Sequence, residues 1–339
     1  MTEVEKLPLV VVAVDFSDEI MSQIRDAAPK FRVERHFPDV PDSAWDEAEI
    51  LYTVRNFPEP SEVPHLRWIQ LHYAGVDRVL KRPIVQAEDV EVTTASGIHA
   101  TQIAEYCLMM MLAFNYKLVK MMDFKRAVTW PEKQYEIFRP HPLRGQTVGI
   151  AGYGSIGREL ARMAAALGMT VLAIKRDLKH LEDQHQYSEE GTGDPNGDIP
   201  DRVYPPEALA SMVAECDYLV VATPLTDATR HLVNARIFEA MKSNAVLINV
   251  ARGGVIDEEA MISALAAEKI GGAALDVFSE EPLPTSSPLW NLDNVIISPH
   301  VSGNTSIYHE KAAAVFMENL RRYAEKRPLL NRIDREKGY

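Results

Sequence analysis

The stretch TVGIAGYGSIGREL (Thr147–Leu160) permits few local folds. A β-branched apolar run reaches Gly152, Gly154 and Gly157, then passes straight into RELARMAAALG, which has the apolar spacing of an amphipathic helix. Strand, glycine turn and helix, in that order, open a dinucleotide-binding βαβ unit. Gly152 allows the tight turn. Gly154 lets a pyrophosphate approach the backbone, and Gly157 lets helix and strand close together. The amides at the helix start then face the phosphates.

The strand that closes this unit, TVLAI, runs into Lys175 and Arg176. An acid about 20 residues beyond the first glycine bonds the ribose hydroxyls of NAD, whereas a cation accommodates the 2′-phosphate of NADP. A carboxylate here would repel that phosphate and two cations attract it. The reading favours NADP(H), with NAD(H) as the alternative if Asp177 turns inward to serve the ribose.

The chain has 339 residues, enough for about two domains. Its net charge of −13 disfavours nucleic acid and anionic membrane surfaces as partners. Cys107 and Cys216 each sit in an apolar run and read as buried thiols, too few and too far apart for a metal cage or a disulfide framework. LPLVVVAVD reads as a first buried strand rather than a signal peptide. YCLMMMLAF falls well short of the ~20 apolar residues of a membrane span. A cytoplasmic location is expected, with no metal.

Two series of strand-like runs follow one another. LVVVAVD, AEILYTV and LRWIQLHYAGVD belong to the first, and a long helix from about Thr101 to Met122 ends it. The second contains the glycine turn, DYLVVATPL, AVLINVARGG, GGAALDVF and NVIISPH. Such runs suit parallel strands buried on both faces, and ligands of open parallel sheets bind beyond the strands' carboxyl ends. Thr223, Arg252, Asp276 and His300 stand at those ends. A helix from about Ser306 to Tyr323 comes last. The stretch from Lys179 to Ala208 is acidic, Gly/Pro-rich and longer than an ordinary connection. It is expected to be a disordered surface insertion, or else a mobile flap beside Lys175 and Arg176.

NVARGGVID, ALDVFSEEPLP and ISPHVSGNT, placed after the glycine turn, resemble the D-isomer-specific 2-hydroxyacid dehydrogenase family over nearly the whole chain. LHYAGVDRV, GIHATQIAEY and ATPLTDATRHLVN resemble its substrate-loop, hinge-helix and cofactor-loop segments. The resemblance implies an α/β chain of two doubly wound parallel sheets, a Rossmann-type cofactor domain (117–305) inserted in a flavodoxin-like substrate domain (1–116 and 306–339). It implies a homodimer formed through the inserted domain. It also implies a catalytic triad of Arg252, Glu281 and His300. Glu281 rather than Glu280 is chosen because the family acid directly precedes the proline.

The chemistry accounts for these residue types. A 2-oxo acid offers a carboxylate and a ketone. As hydride reaches the ketone carbon, charge grows on oxygen and His300 donates a proton there. Glu281 would bond the other ring nitrogen and favour the charged ring. Arg252 would clamp the carboxylate, the carbonyl oxygen or both, and the amides of Ala74 and Gly75 would hold the carboxylate from the far side. His99 lies near the expected substrate pocket and reads as structural first. Tyr73, His72 and Trp68 would line the side-chain pocket. The remaining cofactor contacts implied are Ser155 and Ile156 at the pyrophosphate, Thr223, Pro224 and Thr229 on the adenosine side, Val250, and Asp276 at the nicotinamide carboxamide.

The activity expected is reversible NAD(P)H-dependent reduction of a small 2-oxo acid, of the glyoxylate or hydroxypyruvate type, to the D-2-hydroxy acid. Phosphoglycerate, formate or phosphonate chemistry would be rivals within the family. A dinucleotide-sensing, corepressor-like binding protein is the rival outside enzymes.

Overall fold

Unbroken β-branched runs flanked by helices favour parallel sheets covered on both faces, and two such sheets form. The structure, a computed structural model, describes residues 7–182 and 186–339. The described chain divides into two compact units, one of residues 7–98, 186–189 and 305–339, the other of 99–182 and 190–304.

The first unit holds β1 (Leu9–Ala13), β2 (Arg32–Arg35), β3 (Ala48–Thr53), β4 (Trp68–Leu71) and β5 (Glu91–Thr93), all parallel in the order β2-β1-β3-β4-β5. That is the doubly wound order of a flavodoxin-like sheet. β1 is buried along its whole length because helices cover both faces. The helix Asp18–Ala27 begins where the Ser17 hydroxyl accepts the Ile20 amide at 3.2 Å, a cap worth about 1 kcal/mol. The last helix, Tyr308–Ala324, brings Phe316 and Leu320 against Val10, Val12, Tyr52 and Trp68.

The second unit holds β6 (Thr147–Ala151), β7 (Thr170–Ile174), β8 (Arg202–Tyr204), β9 (Tyr218–Val221), β10 (Val246–Asn249), β11 (Gly272–Leu275) and β12 (Val295–Ile297). The parallel order is β12-β11-β10-β9-β6-β7-β8. The chain leaves β6 toward β7, then returns to β9 on its other side. The crevice between β6 and β9 is therefore the switch point at which such sheets take ligands.

Three expectations need correction. The first domain boundary lies at 98/99 rather than 116/117. The reason is packing: helix Ala100–Asn115 buries Ile103, Ala104, Cys107 and Met111 in one cluster with Leu160, Ala161 and Ala164 of the helix after the glycine turn. The helix expected to reach Met122 ends at Asn115, and a second helix, Leu118–Arg126, restarts after Lys117, whose φ is +54°.

The described residues of the stretch 179–208 are not a disordered insertion. The stretch closes with β8, which pairs with β7 in register Leu172↔Arg202. Within the first unit, Tyr187 donates its amide to Asn331 Oδ1 at 2.9 Å and Glu189 pairs with Lys311 at 2.9 Å. Gly97 is required there, because a Cβ would stand 2.0 Å from the Tyr187 carbonyl oxygen. Residues 183–185 of this stretch lie outside the described residues. Among the described residues no helix is long and apolar enough to cross a membrane.

Candidate active site

The glycine turn starts where β6 ends. Gly152 has φ +114°, and a Cβ on it would meet Ala222 and Thr223 Oγ1 at 2.8 Å. Gly157 lies 2.3 Å, measured from an ideal Cβ, from the Gly152 carbonyl oxygen. Protein contacts thus demand both glycines. Gly154 is different: its φ is −94°, and nothing of the protein lies within 4 Å of where its Cβ would be. Neither backbone strain nor packing forces a glycine at 154. The open space over it, at the start of helix Ser155–Ala166, suits a pyrophosphate resting on backbone amides, with Ser155 and Ile156 at the helix start half-buried. The residues present fit a dinucleotide.

Around the crevice, the Thr223 hydroxyl donates to the Ala151 carbonyl at 2.6 Å and fixes the start of the 223–230 loop. Thr229 donates to the Pro224 carbonyl at 2.6 Å and accepts the Thr226 amide at 2.8 Å. Its hydroxyl thus staples that loop. Pro224 is exposed and Val250 buried. At the end of β7, Lys175 Nζ donates to the Leu181 carbonyl at 3.2 Å, and Arg176 is exposed. Asp177 does not turn back toward the strand end. Its carboxylate takes the His180 ring nitrogen at 2.8 Å and the Lys179 amide at 2.9 Å, and the His180 bond foremost holds that carboxyl below its usual range.

The loops after β10, β11 and β12 carry Arg252, Glu281 and His300, the three residues expected to form the triad. Gly253 is the contact that joins the first two: a Cβ there would lie 1.9–2.1 Å from the Phe278–Ser279 backbone. Only glycine lets the Arg252 loop lie directly on the turn that leads to Glu281. Asn249 braces the Arg252 loop, accepting the Ala251 amide at 3.1 Å and donating to the Arg252 carbonyl at 3.2 Å. Glu281 Oε1 accepts the Phe278 amide at 3.2 Å, and Glu281 Oε2 meets His300 Nδ1 at 2.9 Å. Glu281, not Glu280, is thus the acid on the ring. The Glu281 side chain is 22 % exposed and that of His300 43 %. With Nδ1 bonded to a carboxylate, Nε2 is the nitrogen left to meet a ligand.

His300 has φ +55°, a conformation that costs a non-glycine residue about 1–3 kcal/mol. Asp276 holds it there. This carboxylate is fully buried and takes the Ser298 hydroxyl at 2.6 Å, the Val301 amide at 2.8 Å and the Ser302 amide at 2.9 Å. It grips the chain on both sides of His300. In this structure the Asp276 carboxylate is engaged by these three bonds on either side of His300. Tyr106 extends the grip, its hydroxyl 2.7 Å from Ser298 Oγ; burial foremost pushes that hydroxyl up to about 12. The sequence offered no cue to Ser298 or Tyr106, since both read as ordinary strand-end and helix residues.

His99 begins helix Ala100–Asn115, its ring beside Gly303 in the same unit. Ala74 and Gly75 follow β4 in the first unit and are half-buried. Just before them, the His72 ring meets the Tyr52 hydroxyl at 2.7 Å, and the Tyr308 hydroxyl donates to the His72 carbonyl at 3.0 Å. Among the described residues no group of three or more His, Cys, Asp or Glu is arranged to hold a metal.

A sequence model described as the D-isomer specific 2-hydroxyacid dehydrogenase, NAD binding domain, matches residues 108–302. The chain belongs to the D-isomer-specific 2-hydroxyacid dehydrogenase family. Among curated members of this family it is 33% identical to a glyoxylate reductase of Thermococcus gammatolerans, over 76% of this chain and 73% of that one. It is 31% identical to an (S)-sulfolactate dehydrogenase of Chromohalobacter salexigens, over 76% and 78%. Among solved structures, a family member from Xanthobacter autotrophicus in complex with NADPH and MES superposes with TM-score 0.78 at 29% identity, over 98% of this chain and 99% of that one. An NADPH-dependent glyoxylate/hydroxypyruvate reductase of Sinorhizobium meliloti in complex with NADP and sulfate gives TM-score 0.76 at 25% identity, with the same coverage. The fold is thus that of these dehydrogenases, with a Rossmann-type sheet, and the chain is an oxidoreductase of the family.

Proposed function

We propose that the protein reduces a small 2-oxo acid to its D-2-hydroxy acid, with NADP(H) preferred. The observation that carries the reading is the Glu281–His300 pair at 2.9 Å, on a loop that Asp276 holds in a left-handed turn. A dinucleotide whose pyrophosphate rests on the glycine turn would supply the hydride from its reduced nicotinamide. His300 donates the proton that the growing alkoxide takes up, from Nε2, while Glu281 stabilises the imidazolium and fixes which nitrogen carries the proton. Arg252 binds the substrate carboxylate, the carbonyl oxygen or both. Its planar fork suits a carboxylate. The names of the glyoxylate and sulfolactate enzymes support a small, polar 2-oxo acid. Deuteride carried on the nicotinamide of NADPH should appear at carbon 2 of the product. Product free of deuterium overturns the reading.

NADP(H) preference rests on charge. Lys175 and Arg176 stand where an acid would serve NAD, and Asp177 is engaged with the 177–180 turn. The relatives solved with NADPH and NADP support it. Arg176→Gln should lower the NADPH-over-NADH ratio of kcat/KM by about 10-fold, the scale of one charge-assisted hydrogen bond. A ratio unchanged by that substitution removes Arg176 from cofactor choice.

The homodimer is proposed on apolar surface. Met109, Leu112, Leu118, Met122, Trp130 and Tyr135 are all exposed, along Ala100–Asn115, Leu118–Arg126 and the segment after them. Soluble chains rarely leave so large an apolar stretch uncovered. Sedimentation equilibrium should give twice the chain mass, and a Leu118→Asp/Trp130→Asp variant should sediment at the single-chain mass. A wild-type monomer contradicts the assignment.

A further inference from the structure

The helix after the glycine turn would ordinarily show solvent its polar side chains, yet Arg158 is 3 % and Glu159 0 % exposed. Together they bond to Leu181, Gly193 and Asp194 of the stretch after β7. Arg158 donates through Nη1 to the Asp194 carbonyl and through Nη2 to the Leu181 carbonyl. Its guanidinium lies 4.9 Å from the centre of the Tyr153 ring. Glu159 takes the Gly193 amide at 2.6 Å and pairs with Arg162 at 2.6 Å. At the centre, the Tyr153 hydroxyl donates to Asp194 Oδ2 at 2.5 Å. The same carboxylate accepts the Asp198 and Ile199 amides at 3.1 Å.

Tyr153 is the middle residue of the turn, between Gly152 and Gly154. Glycines on both sides leave that backbone with more freedom than any other pair would. Tyr153 is the one side chain of the three through which the turn can be tied down, and Asp194 ties it. Its amide is fixed as well, donating to the Ile174 carbonyl at 3.2 Å. A pyrophosphate is held by backbone amides that must already point at it, so a turn frozen before binding binds more tightly than one that binding must freeze.

We propose that residues 190–199 are a brace for the dinucleotide site, with Asp194 and Tyr153 as positioning residues that hold the glycine turn in its binding-ready form. The proposal rests on the dinucleotide reading of the turn, not on the identity of the 2-oxo acid. Burial foremost, and Asp194 next, push the Tyr153 hydroxyl far above its ordinary value, so it stays a donor. Burial alone would raise the Asp194 carboxyl. The bonds from Tyr153, Ile199 and Asp198, with the nearby Arg158 charge, hold it below the usual range, so it stays an acceptor near neutral pH.

The test is titration of the whole protein with NADPH, read by nicotinamide fluorescence in the absence of any oxo acid. Tyr153→Phe keeps the ring over Arg158 and removes only the hydroxyl. It should raise the Kd for NADPH roughly 10-fold, the scale of one charge-assisted hydrogen bond. Asp194→Asn should do the same, and the double variant should be no weaker than either single one, because both remove one interaction. In turnover the effect should fall on KM for NADPH and leave KM for the oxo acid unmoved.

A lower melting temperature with wild-type Kd in Tyr153→Phe would make the contact purely structural and overturn the proposal. Wild-type protein that binds NADPH but reduces nothing contradicts the reductase reading and leaves the brace standing. Wild-type protein that binds no NADPH overturns both.

Discussion

His300→Gln should lower kcat for 2-oxo acid reduction by about 10²-fold or more, the usual worth of a positioned general acid, with the Kd for NADPH unchanged. Glutamine fills nearly the same space and can still donate a hydrogen bond, but it cannot give up a proton. In the proposed mechanism that proton is the one the alkoxide takes up. Glu281 meets Nδ1 at 2.9 Å, which leaves Nε2 for the substrate oxygen. The protein also keeps His300 at φ +55°, and the three bonds from Asp276 oxygens to Ser298, Val301 and Ser302 maintain it. Steady-state rates at saturating NADPH check the expectation, and a kcat within a few-fold of wild type would remove His300 from the chemistry.

Arg252→Met should raise KM for the oxo acid by about 10–100-fold, the range for a lost hydrogen bond between two charged groups. Methionine keeps much of the apolar stem and removes the fork. The loop should survive the change, because Asn249 and the close approach of Gly253 to the Phe278–Ser279 backbone hold it through main-chain contacts. A fall in kcat alongside the rise in KM would show that the guanidinium also meets the carbonyl oxygen in the transition state. The comparison to run is a 2-oxo acid against the matching aldehyde. A substrate without a carboxylate should lose far less on substitution. Equal losses on both would contradict the clamp.

What sequence reading recovered, and what it missed, follows the physics of each signal. Strands buried on both faces, such as β1, β6 and β9, announce themselves as unbroken apolar runs. The edge strands β2 (RVER) and β8 (RVY) are short and half-polar, so periodicity does not mark them. The glycines were legible because turn geometry dictates them, and Arg252 and His300 because they end strand-like runs; Glu281 was legible only through the family resemblance, as the acid before the proline. Asp194 was not legible. It lies in an acidic, Gly/Pro-rich stretch with the composition of a disordered loop, and its value depends on Tyr153, 41 positions away in sequence. Asp276 was visible as a strand-end acid, but its partners Ser298, Val301 and Ser302 come from a loop that only the β11–β12 pairing brings alongside. The boundary at 98/99 was missed because the apolar face of helix Ala100–Asn115 does not say which unit it will cover.

The most direct test is absorbance at 340 nm, with NADPH and with NADH, against glyoxylate, hydroxypyruvate and sulfopyruvate. Steady loss of absorbance that depends on the oxo acid, faster with NADPH, is the predicted result. Tight dinucleotide binding without oxidation by any 2-oxo acid would contradict it, and would make the protein a dinucleotide sensor built on a dehydrogenase fold.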